Sequence, residues 1–400
     1  MDSRTGASGE RRPNARRVIS SLRKGVPPAD HLDLYTVGRD ELLSYFDGKL
    51  AEIREFGLSD VKFIQADFGG GKTHFFHLLT DLALSHNFVV SEVALHPREL
   101  PFDKLDIVIR RIVASIVTPS RGANGLEDLL NKWAATQKGR SSDAMYEGLQ
   151  DLRLFPDFRL NLVEYARARN DTLGIRHEAS QRILKWFRGE ETPSKHFKSV
   201  EEYLAALIAL IRHLHFSGFI ILLDESEAIT SLSRISNRDL ANENIRQIID
   251  NDDGTEGFYF VFASTPTFLS GEGVHGAQEY DALWRRISPA LGYLELGSLE
   301  SPIIDLPALS EDELQRLSTR IKELYEVAYE VELLQVTDAH IAALVGYVER
   351  RATQRNIRAL VRSTVAMLDE ARRDSTLDPT TKYEALVETI LKEESELRAR

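Results

Sequence analysis

Residues 61–79 read VKFIQADFGGGKTHFFHLL and contain three successive patterns that decide the fold. The apolar run Val61–Ile64 predicts a strand, Ala66–Thr73 predicts a glycine loop, and the apolar stretch opening at Phe75 predicts a helix. In this order, backbone N–H groups and the start of the helix converge on a phosphate, as in the P-loop pattern G-x-x-x-x-G-K-[ST]. The segment therefore predicts binding of a nucleoside triphosphate.

Side chains of the loop supply the expected contacts. Lys72 is expected to reach the outer phosphates, and the Thr73 hydroxyl is expected to bind Mg²⁺. Ala66 stands where the pattern has glycine, which is the mildest replacement because the later glycines keep the loop pliable. A glycine-rich turn beside a chance lysine is the alternative explanation. The predicted nucleotide-binding residues of the loop and its end are Phe68, Gly69, Gly70, Gly71, Lys72, Thr73 and His74.

The composition is that of a globular chain, with 400 residues, 42% apolar residues, no cysteine and a net charge of -12. No apolar run reaches the about 18 residues of a membrane helix, and the N-terminus has no apolar signal segment. We therefore expect a cytoplasmic protein without membrane contact. The missing cysteines exclude disulfides, thiol catalysis and cysteine zinc sites. The negative charge opposes general nucleic-acid binding, so DNA contact requires local basic clusters.

Four further apolar segments predict strands, and helical patterns separate them. Because strands alternate with helices, the sequence predicts an α/β fold with a parallel sheet and right-handed crossovers. The predicted strands after the first are 87–95, 218–225, 257–265 and 301–306. The predicted helices before and between the strands include 15–24, 41–55, 105–117, 200–215 and 238–249.

The patterns divide the chain into three parts. Residues 1–14 are polar and predict a disordered tail. Residues 15–308 form the predicted core, in which 119–198 is a mostly helical insertion. Residues 309–400 are helical throughout and predict a lid domain and C-terminal helix. Ser310 and Glu313 predict a capping box at the start of this last part.

Polar residues at two strand ends are candidates for chemistry, because ligands of open α/β sheets bind beyond the carboxyl ends of the strands. Asp224 is suited to hold Mg²⁺, and Glu225 is suited to activate water as a general base. An acidic loop that merely ends a strand is the alternative. Thr265, with Ser264 as its neighbour, is a candidate for holding the attacking water or contacting the γ-phosphate, and ordinary turn chemistry is equally open.

Three arginines are further candidates. Arg285 or Arg286 is suited to reach the nucleotide of a neighbouring subunit as a finger, which implies a homo-oligomer. Arg358 is suited to fold back on the phosphates and report ATP to the lid. Each of them is equally compatible with a solvated helix face.

Two basic clusters are candidates for contact with double-stranded DNA, and solvated tails are the alternative. The N-terminal cluster consists of Arg11, Arg12, Arg16, Arg17, Arg23 and Lys24. The second cluster consists of Arg350, Arg351 and Arg355.

The order of these features resembles an AAA+ P-loop ATPase, and the layout resembles the origin-recognition and Cdc6 branch. The resemblance implies that Val37 and Gly38 lie beside the adenine. It also implies that Asp224 and Glu225 form the Walker B pair, that Thr265 is sensor 1 and that Arg358 is sensor 2.

Six strings spread over nearly the whole chain carry a closer similarity. They are ARRVISSLRKGVPP (15–28), LYTVGRDELL (34–43), the loop with its following His74, WFRGE (186–190), LLDESEAI (222–229) and RNIRALVRSTVAMLDEA (355–371). These strings are similar to the BrxD-type ATP-binding proteins of bacteriophage exclusion (BREX) systems. The similarity implies a cytoplasmic bacterial anti-phage ATPase that uses ATP and Mg²⁺ and acts with other defence-system proteins. We expect no winged-helix DNA reader after the lid, and the insertion has no assigned role.

The leading functional hypothesis is an ATPase that couples hydrolysis to the assembly or remodelling of a DNA-associated complex. The alternative is a nucleotide-dependent switch or scaffold that binds ATP, turns over negligibly and recruits defence partners. A kinase of a small substrate is disfavoured by the helical lid and the absence of an identifiable acceptor pocket.

Overall fold

A computed structural model describes the chain as two compact units. The first comprises Met1–Ser44, Gln65–Leu78 and Asp305–Arg400, and the second comprises Tyr45–Ile64 and Leu79–Ile304. The described residues are 5–171, 177–190, 200–270, 276–288, 299–351, 356–374 and 383–398. The predicted division between a core and a lid at residue 308 stays a prediction, since the compact units group the first 44 residues with the C-terminal helices.

The second unit is built around a β-sheet. Two residues at strand ends, Gln65 and Asp305, are the exception, because they belong to the first unit. Its strands are β1 (Asp60–Gln65), β2 (Val89–Ala94), β3 (Ile116–Val117), β4 (Phe219–Asp224), β5 (Phe258–Ser264) and β6 (Ile303–Asp305). In the described part of the chain the sheet has six strands in the order β3-β2-β4-β5-β1-β6. The pairs β2–β4 and β4–β5 are parallel, and β2–β3 is antiparallel. The predicted α/β architecture is confirmed.

Strands β4 and β5 are buried along their whole lengths. This is expected for parallel strands covered on both faces, and it explains their uninterrupted apolar sequences. Register pairs Val89 with Phe219 and Phe219 with Phe258, so the three strands start level with one another.

Strand β3 corrects the sequence prediction, which placed residues 105–117 in one helix. The helix ends at Ala114, and Ile116 and Val117 pair with β2. Both residues are β-branched, which favours a strand, and Pro119 disfavours helical backbone at the residue before it.

Helices surround the sheet of the second unit, and α2 and α3 begin in the first. These helices are α2 (Asp40–Phe56), α3 (Lys72–Ser85), α4 (Leu105–Ala114), α5 (Gly125–Thr136), α6 (Ser142–Glu147), α7 (Pro156–Arg169), α8 (His177–Phe187), α9 (Val200–His213), α10 (Ile235–Asp250), α11 (Pro266–Ser270) and α12 (Asp281–Ile287). Helices α5–α8 confirm that the insertion is mostly helical. Its residues 172–176 and 191–198 lie outside the described residues.

Aromatic side chains hold the insertion together. The Phe158 ring contacts Trp186, Phe187 and Tyr203 edge-on, with centroid distances of 6.4, 5.1 and 5.7 Å. Edge-to-face pairs add to the stabilisation from burial. The WFRGE string therefore has a packing role in the described structure.

The first unit is helical. It contains α1 (Thr5–Arg23), α13 (Glu311–Tyr329), α14 (Asp338–Arg351), α15 (Ile357–Arg373) and α16 (Tyr383–Arg398). The predicted capping box is confirmed, because Ser310 Oγ accepts from Glu313 N at 3.3 Å and Glu313 Oε2 accepts from Ser310 N at 2.7 Å. None of the described helices is long and apolar enough to cross a bilayer.

Helix α1 starts ten residues before the helix that the sequence predicts, so residues 5–14, expected to be disordered, are helical. The reason is an apolar stripe that packs against α13. Propagation of a helix is much easier than its nucleation, so an anchored stripe supports further turns upstream. The buried stripe consists of Ala15, Val18, Ile19 and Leu22.

Candidate functional site

The glycine loop follows β1 and runs directly into α3, as the sequence predicts. Gly69 and Gly71 have φ values of 77° and 99°, which favour glycine because it has no Cβ. Lys72 is the first residue of α3 and is 8% exposed. Its Nζ donates to Ala66 O at 2.9 Å and to Asp67 O at 3.4 Å. The loop thus surrounds a buried ammonium group with backbone, which suits an anion.

The N-terminus of α15 packs against this loop within the first unit. A Cβ on Gly69 would lie 2.3 Å from Asn356 Oδ1, and Gly69 O accepts a hydrogen bond from Arg358 N at 3.3 Å. Asn356 also caps α15, because its Oδ1 accepts from Ala359 N at 3.0 Å. The Arg358 guanidinium lies 5.6 Å from the centroid of the Phe68 ring. The structure therefore brings the predicted sensor arginine to the phosphate loop.

The predicted adenine-side residues lie in the same unit. Val37 is partly buried and packs against the helical core. Gly38 has a φ of 63°, and a Cβ there would lie 2.3 Å from Glu313 Oε1 at the start of α13. The left-handed backbone and this close approach favour glycine, so Gly38 has a packing role besides its predicted contact with nucleotide.

Arg39 is a candidate that the sequence analysis did not select. It is 4% exposed, and its Nη1 donates to Pro307 O at 2.7 Å and Gly38 O at 3.3 Å. A Cβ on Gly71 would lie 3.7 Å from its Nη2. Within the described residues Arg39 forms no ion pair, and burial lowers its pKa while Glu313 opposes that shift. A buried guanidinium beside a phosphate loop is a second cation that fits an anionic ligand.

His74, predicted to contact nucleotide, joins α3 to the segment before Gly38. Its Nε2 lies 3.0 Å from Thr36 Oγ1, and its Nδ1 lies 3.3 Å from Tyr35 OH. Burial, together with the nearby Arg39, lowers the pKa of His74 to about 3. The imidazole is therefore neutral near pH 7 and positions the loop, and its contact with nucleotide stays a prediction.

The predicted acidic pair ends β4 in the second unit. Asp224 is 5% exposed, and its Oδ1 accepts a hydrogen bond from Glu225 N at 2.8 Å. Glu225 has φ 57° and ψ 37°, the left-handed region. For a residue other than glycine this costs about 1–3 kcal/mol, and such strain concentrates at functional sites. Six other described non-glycine residues also have positive φ, so the catalytic role of Glu225 stays a prediction.

The candidates after β5 differ in burial. Ser264 is fully buried at the end of the strand, and its Oγ has no hydrogen-bond partner among the described residues. Thr265 is half-buried, and its carbonyl accepts from Phe268 N at 3.1 Å as α11 begins. An unsatisfied buried hydroxyl is costly, so Ser264 is as strong a candidate for polar contact as the predicted Thr265.

The two finger candidates also differ. Arg286 donates through Nη2 to Asp250 Oδ2 at 2.7 Å and through Nε to Oδ1 of the same carboxylate. This ties α12 to α10 within the second unit. Arg285 is exposed and forms no hydrogen bond or ion pair within the described ranges. Arg286 therefore has a structural contact, whereas Arg285 is exposed to solvent. The sequence did not distinguish the two.

The N-terminal basic cluster is largely engaged within the first unit. Arg23 pairs with Asp369 at 2.8 Å, Arg16 donates to Ala328 O at 2.8 Å, and Arg12 pairs with Glu330 at 2.8 Å. Arg351 of the second cluster pairs with Glu388 at 3.0 Å, and Arg355 lies outside the described residues. The predicted DNA contact stays a prediction.

Comparison with known proteins identifies a family. The model of the family described as "BREX system ATP-binding protein BrxC/D" matches residues 11–386. No curated protein matches the chain. The ORC2 protein of Aeropyrum pernix in its ADPNP–ADP complexes has 16% identity and a TM-score of 0.46, covering 90% of this chain and 68% of that chain. Its ADP form has 14% identity and a TM-score of 0.43, covering 88% and 67%. Structural similarities of this size do not identify the function of this chain.

The buried His74 generates a prediction about acid stability. Between pH 6.5 and 5.5 the unfolded chain takes up a proton at this residue that the folded chain does not, because its folded pKa is about 3. The contribution of the neutral His74 to the free energy of unfolding is therefore complete above pH 6.5 and is lost as the pH falls. Over that pH unit we expect the free energy of unfolding to fall about 1 kcal/mol further in the wild type than in His74→Gln.

Chemical denaturation at the two pH values measures this difference. The control is His31→Asn, since asparagine tolerates the left-handed backbone of His31. It should retain the wild-type acid loss. An equal acid loss in wild type and His74→Gln would show that the imidazole gains its proton in the folded state.

Proposed function

This chain belongs to the family of BREX system ATP-binding proteins BrxC/D, and we propose that it is an ATPase of a bacterial anti-phage defence system. The observation that carries the proposal is the phosphate loop itself. Its glycines take left-handed backbone, and the buried cations Lys72 and Arg39 lie at it. A buried lysine at the end of a glycine loop and a buried arginine beside it fit a triphosphate better than a neutral ligand.

In binding, Lys72 and Arg39 neutralise phosphate charge while loop N–H groups hold the phosphate oxygens. Val37 and Gly38 contact the adenine, and Arg358 contacts the outer phosphates. Mg²⁺, when bound, would offset the charge of the outer phosphates. Thr73 supplies a hydroxyl and Asp224 a carboxylate, which are oxygen ligands of the type that this ion prefers.

In hydrolysis, Glu225 accepts a proton from the attacking water as its oxygen bonds to the γ-phosphorus. The bond from that phosphorus to the bridging oxygen of ADP breaks, and the proton then passes from Glu225 to the released phosphate. Ser264 or Thr265 orients the water or the γ-phosphate.

Arg285 acts as the finger between copies of this chain. It is exposed and without a described partner, whereas Arg286 is engaged by Asp250. A guanidinium supplied by a neighbouring subunit stabilises the charge of the transition state and makes turnover depend on assembly. The protein therefore works as a homo-oligomer.

The proposal also includes partners. By family membership, ATP hydrolysis drives the assembly or remodelling of a DNA-associated complex with other defence proteins in the cytoplasm. The same turnover assay run with duplex DNA tests this part, since stimulation supports it and unchanged turnover at every DNA concentration contradicts it.

The Lys72 and Glu225 roles predict different defects. Glu225→Gln should bind ATP within about threefold of wild type and lose at least about 100-fold in turnover, because a general base contributes this much. Lys72→Ala should weaken nucleotide binding itself. Glu227→Gln, two residues away, is the matched control and should retain turnover. Steady-state phosphate release and ATP titration measure both quantities. Near-zero turnover by the wild type at every protein concentration would instead support a switch that only binds ATP.

The arginine assignment predicts complementation. Arg285→Ala should lose about 100-fold or more in turnover with an unchanged melting temperature. Arg286→Ala should melt lower, because it loses the contact between α12 and α10, and should retain turnover below its melting point. Mixing Arg285→Ala with Glu225→Gln should restore activity, since each inactive variant supplies the group that the other lacks. Absence of restoration in mixtures shown to co-assemble would rule out a finger in trans.

A further inference from the structure

Helix α16 carries a buried carboxylate that the proposed chemistry leaves unused. Glu394 is 1% exposed, and its Oε1 accepts a hydrogen bond from Arg362 Nη1 at 2.7 Å. The same oxygen lies 3.4 Å from Arg358 Nε, without hydrogen-bond geometry. The other oxygen, Oε2, has no hydrogen-bond partner among the described residues. One buried carboxylate thus serves two arginines, and one of them is the predicted sensor.

Arg358 is enclosed on several sides within the first unit. Its guanidinium lies over Phe68, and a Cβ on Gly25 would lie 2.8 Å from its Nε. Glu394 forms an ion pair with the Nε edge at 3.4 Å, without hydrogen-bond geometry, and the Nη groups form no hydrogen bond to any residue that the structure describes. A guanidinium is planar and rigid, so the edge that is held determines where the other donors point.

The two arginines are four residues apart on α15, and like charges at this spacing repel each other. Glu394 lies between them and offsets that repulsion. Glu393, its neighbour, forms an ion pair with Arg362 at 2.6 Å, is 53% exposed and forms no ion pair with Arg358 among the described residues. Both glutamates pair with Arg362, and Glu394 also contacts Arg358. A comparison of variants at the two positions therefore tests the contact with Arg358.

We infer that Glu394 is a positioning residue for Arg358. It holds the Nε edge so that both Nη groups remain available to the outer phosphates of ATP. The inference rests on the proposed function, because it concerns how this chain distinguishes ATP from ADP. It also gives the C-terminal helix a part in nucleotide recognition.

The test compares ATP and ADP affinities of Glu394→Gln, Glu393→Gln, Arg358→Ala and the Arg358→Ala/Glu394→Gln double variant. Glutamine keeps the size of the side chain and can still accept from Arg362. We expect Glu394→Gln to weaken ATP binding about tenfold with ADP binding within about twofold, as in Arg358→Ala. Glu393→Gln should match the wild type. The double variant should be no weaker than Arg358→Ala, since both changes remove one interaction.

A second variant shows whether the effect of Glu394→Gln arises from a change in folding. Replacing the pair by Glu394→Leu and Arg362→Leu removes the carboxylate while filling its space with apolar atoms, which buried ion pairs often tolerate. It should show the same loss of ATP preference. A wild-type ATP-to-ADP ratio in these variants, or additive losses in the Arg358 double variant, would overturn the inference alone. Absence of ATP binding by the wild type would overturn the proposed function, and the inference with it.

Discussion

The contact between Gly69 and the N-terminus of α15 joins the glycine loop to the C-terminal helices of the first unit. A side chain at residue 69 would collide with Asn356 Oδ1, the atom that caps α15. The same glycine offers its carbonyl to Arg358 N. Loop and helix start are therefore fitted to each other through backbone and a capping group, which leave little freedom for rotation. We therefore expect a shift of α15 to move the glycine loop, and a change at the loop to reach α15.

Other contacts of the first unit reinforce this arrangement. His74 holds the start of α3 to Tyr35 and Thr36 as an uncharged ring, and Gly38 packs directly on Glu313. Thr364 Oγ1 on α15 and Ser318 Oγ on α13 share a buried hydrogen bond at 3.2 Å. Nucleotide-binding residues, capping residues and core residues are thus neighbours. A ligand that binds the loop has a direct physical route to the C-terminal helices.

Much of the fold followed from local sequence pattern. The strand, glycine loop and helix around Lys72, the buried strands ending at Asp224 and Ser264, and the capping box at Ser310 were all predicted correctly. The start of α1 and the short strand at Ile116 were not, because both depend on packing partners remote in sequence. Polar residues 5–14 give no apolar period, and a two-residue edge strand is too short to produce a pattern.

Residue type and position along the chain were enough to select Lys72, Glu225 and Arg358 as candidates, and their roles stay predictions. Arg39 was passed over because a lone arginine gives no signal of burial, and only the structure shows that it lacks a carboxylate partner among the described residues. Likewise the sequence could not separate Arg285 from Arg286, since the difference lies in Asp250, some 35 residues away in the chain. Glu394 belongs to a charged helix whose pattern favours solvation over burial.

Amide hydrogen exchange with and without ATP tests the central claim that the loop and α15 respond as one. Our account predicts that ATP slows exchange both at residues 69–76 and at residues 357–362, and that Lys72→Ala removes both effects. Protection confined to the loop, with unchanged exchange in α15, would contradict it.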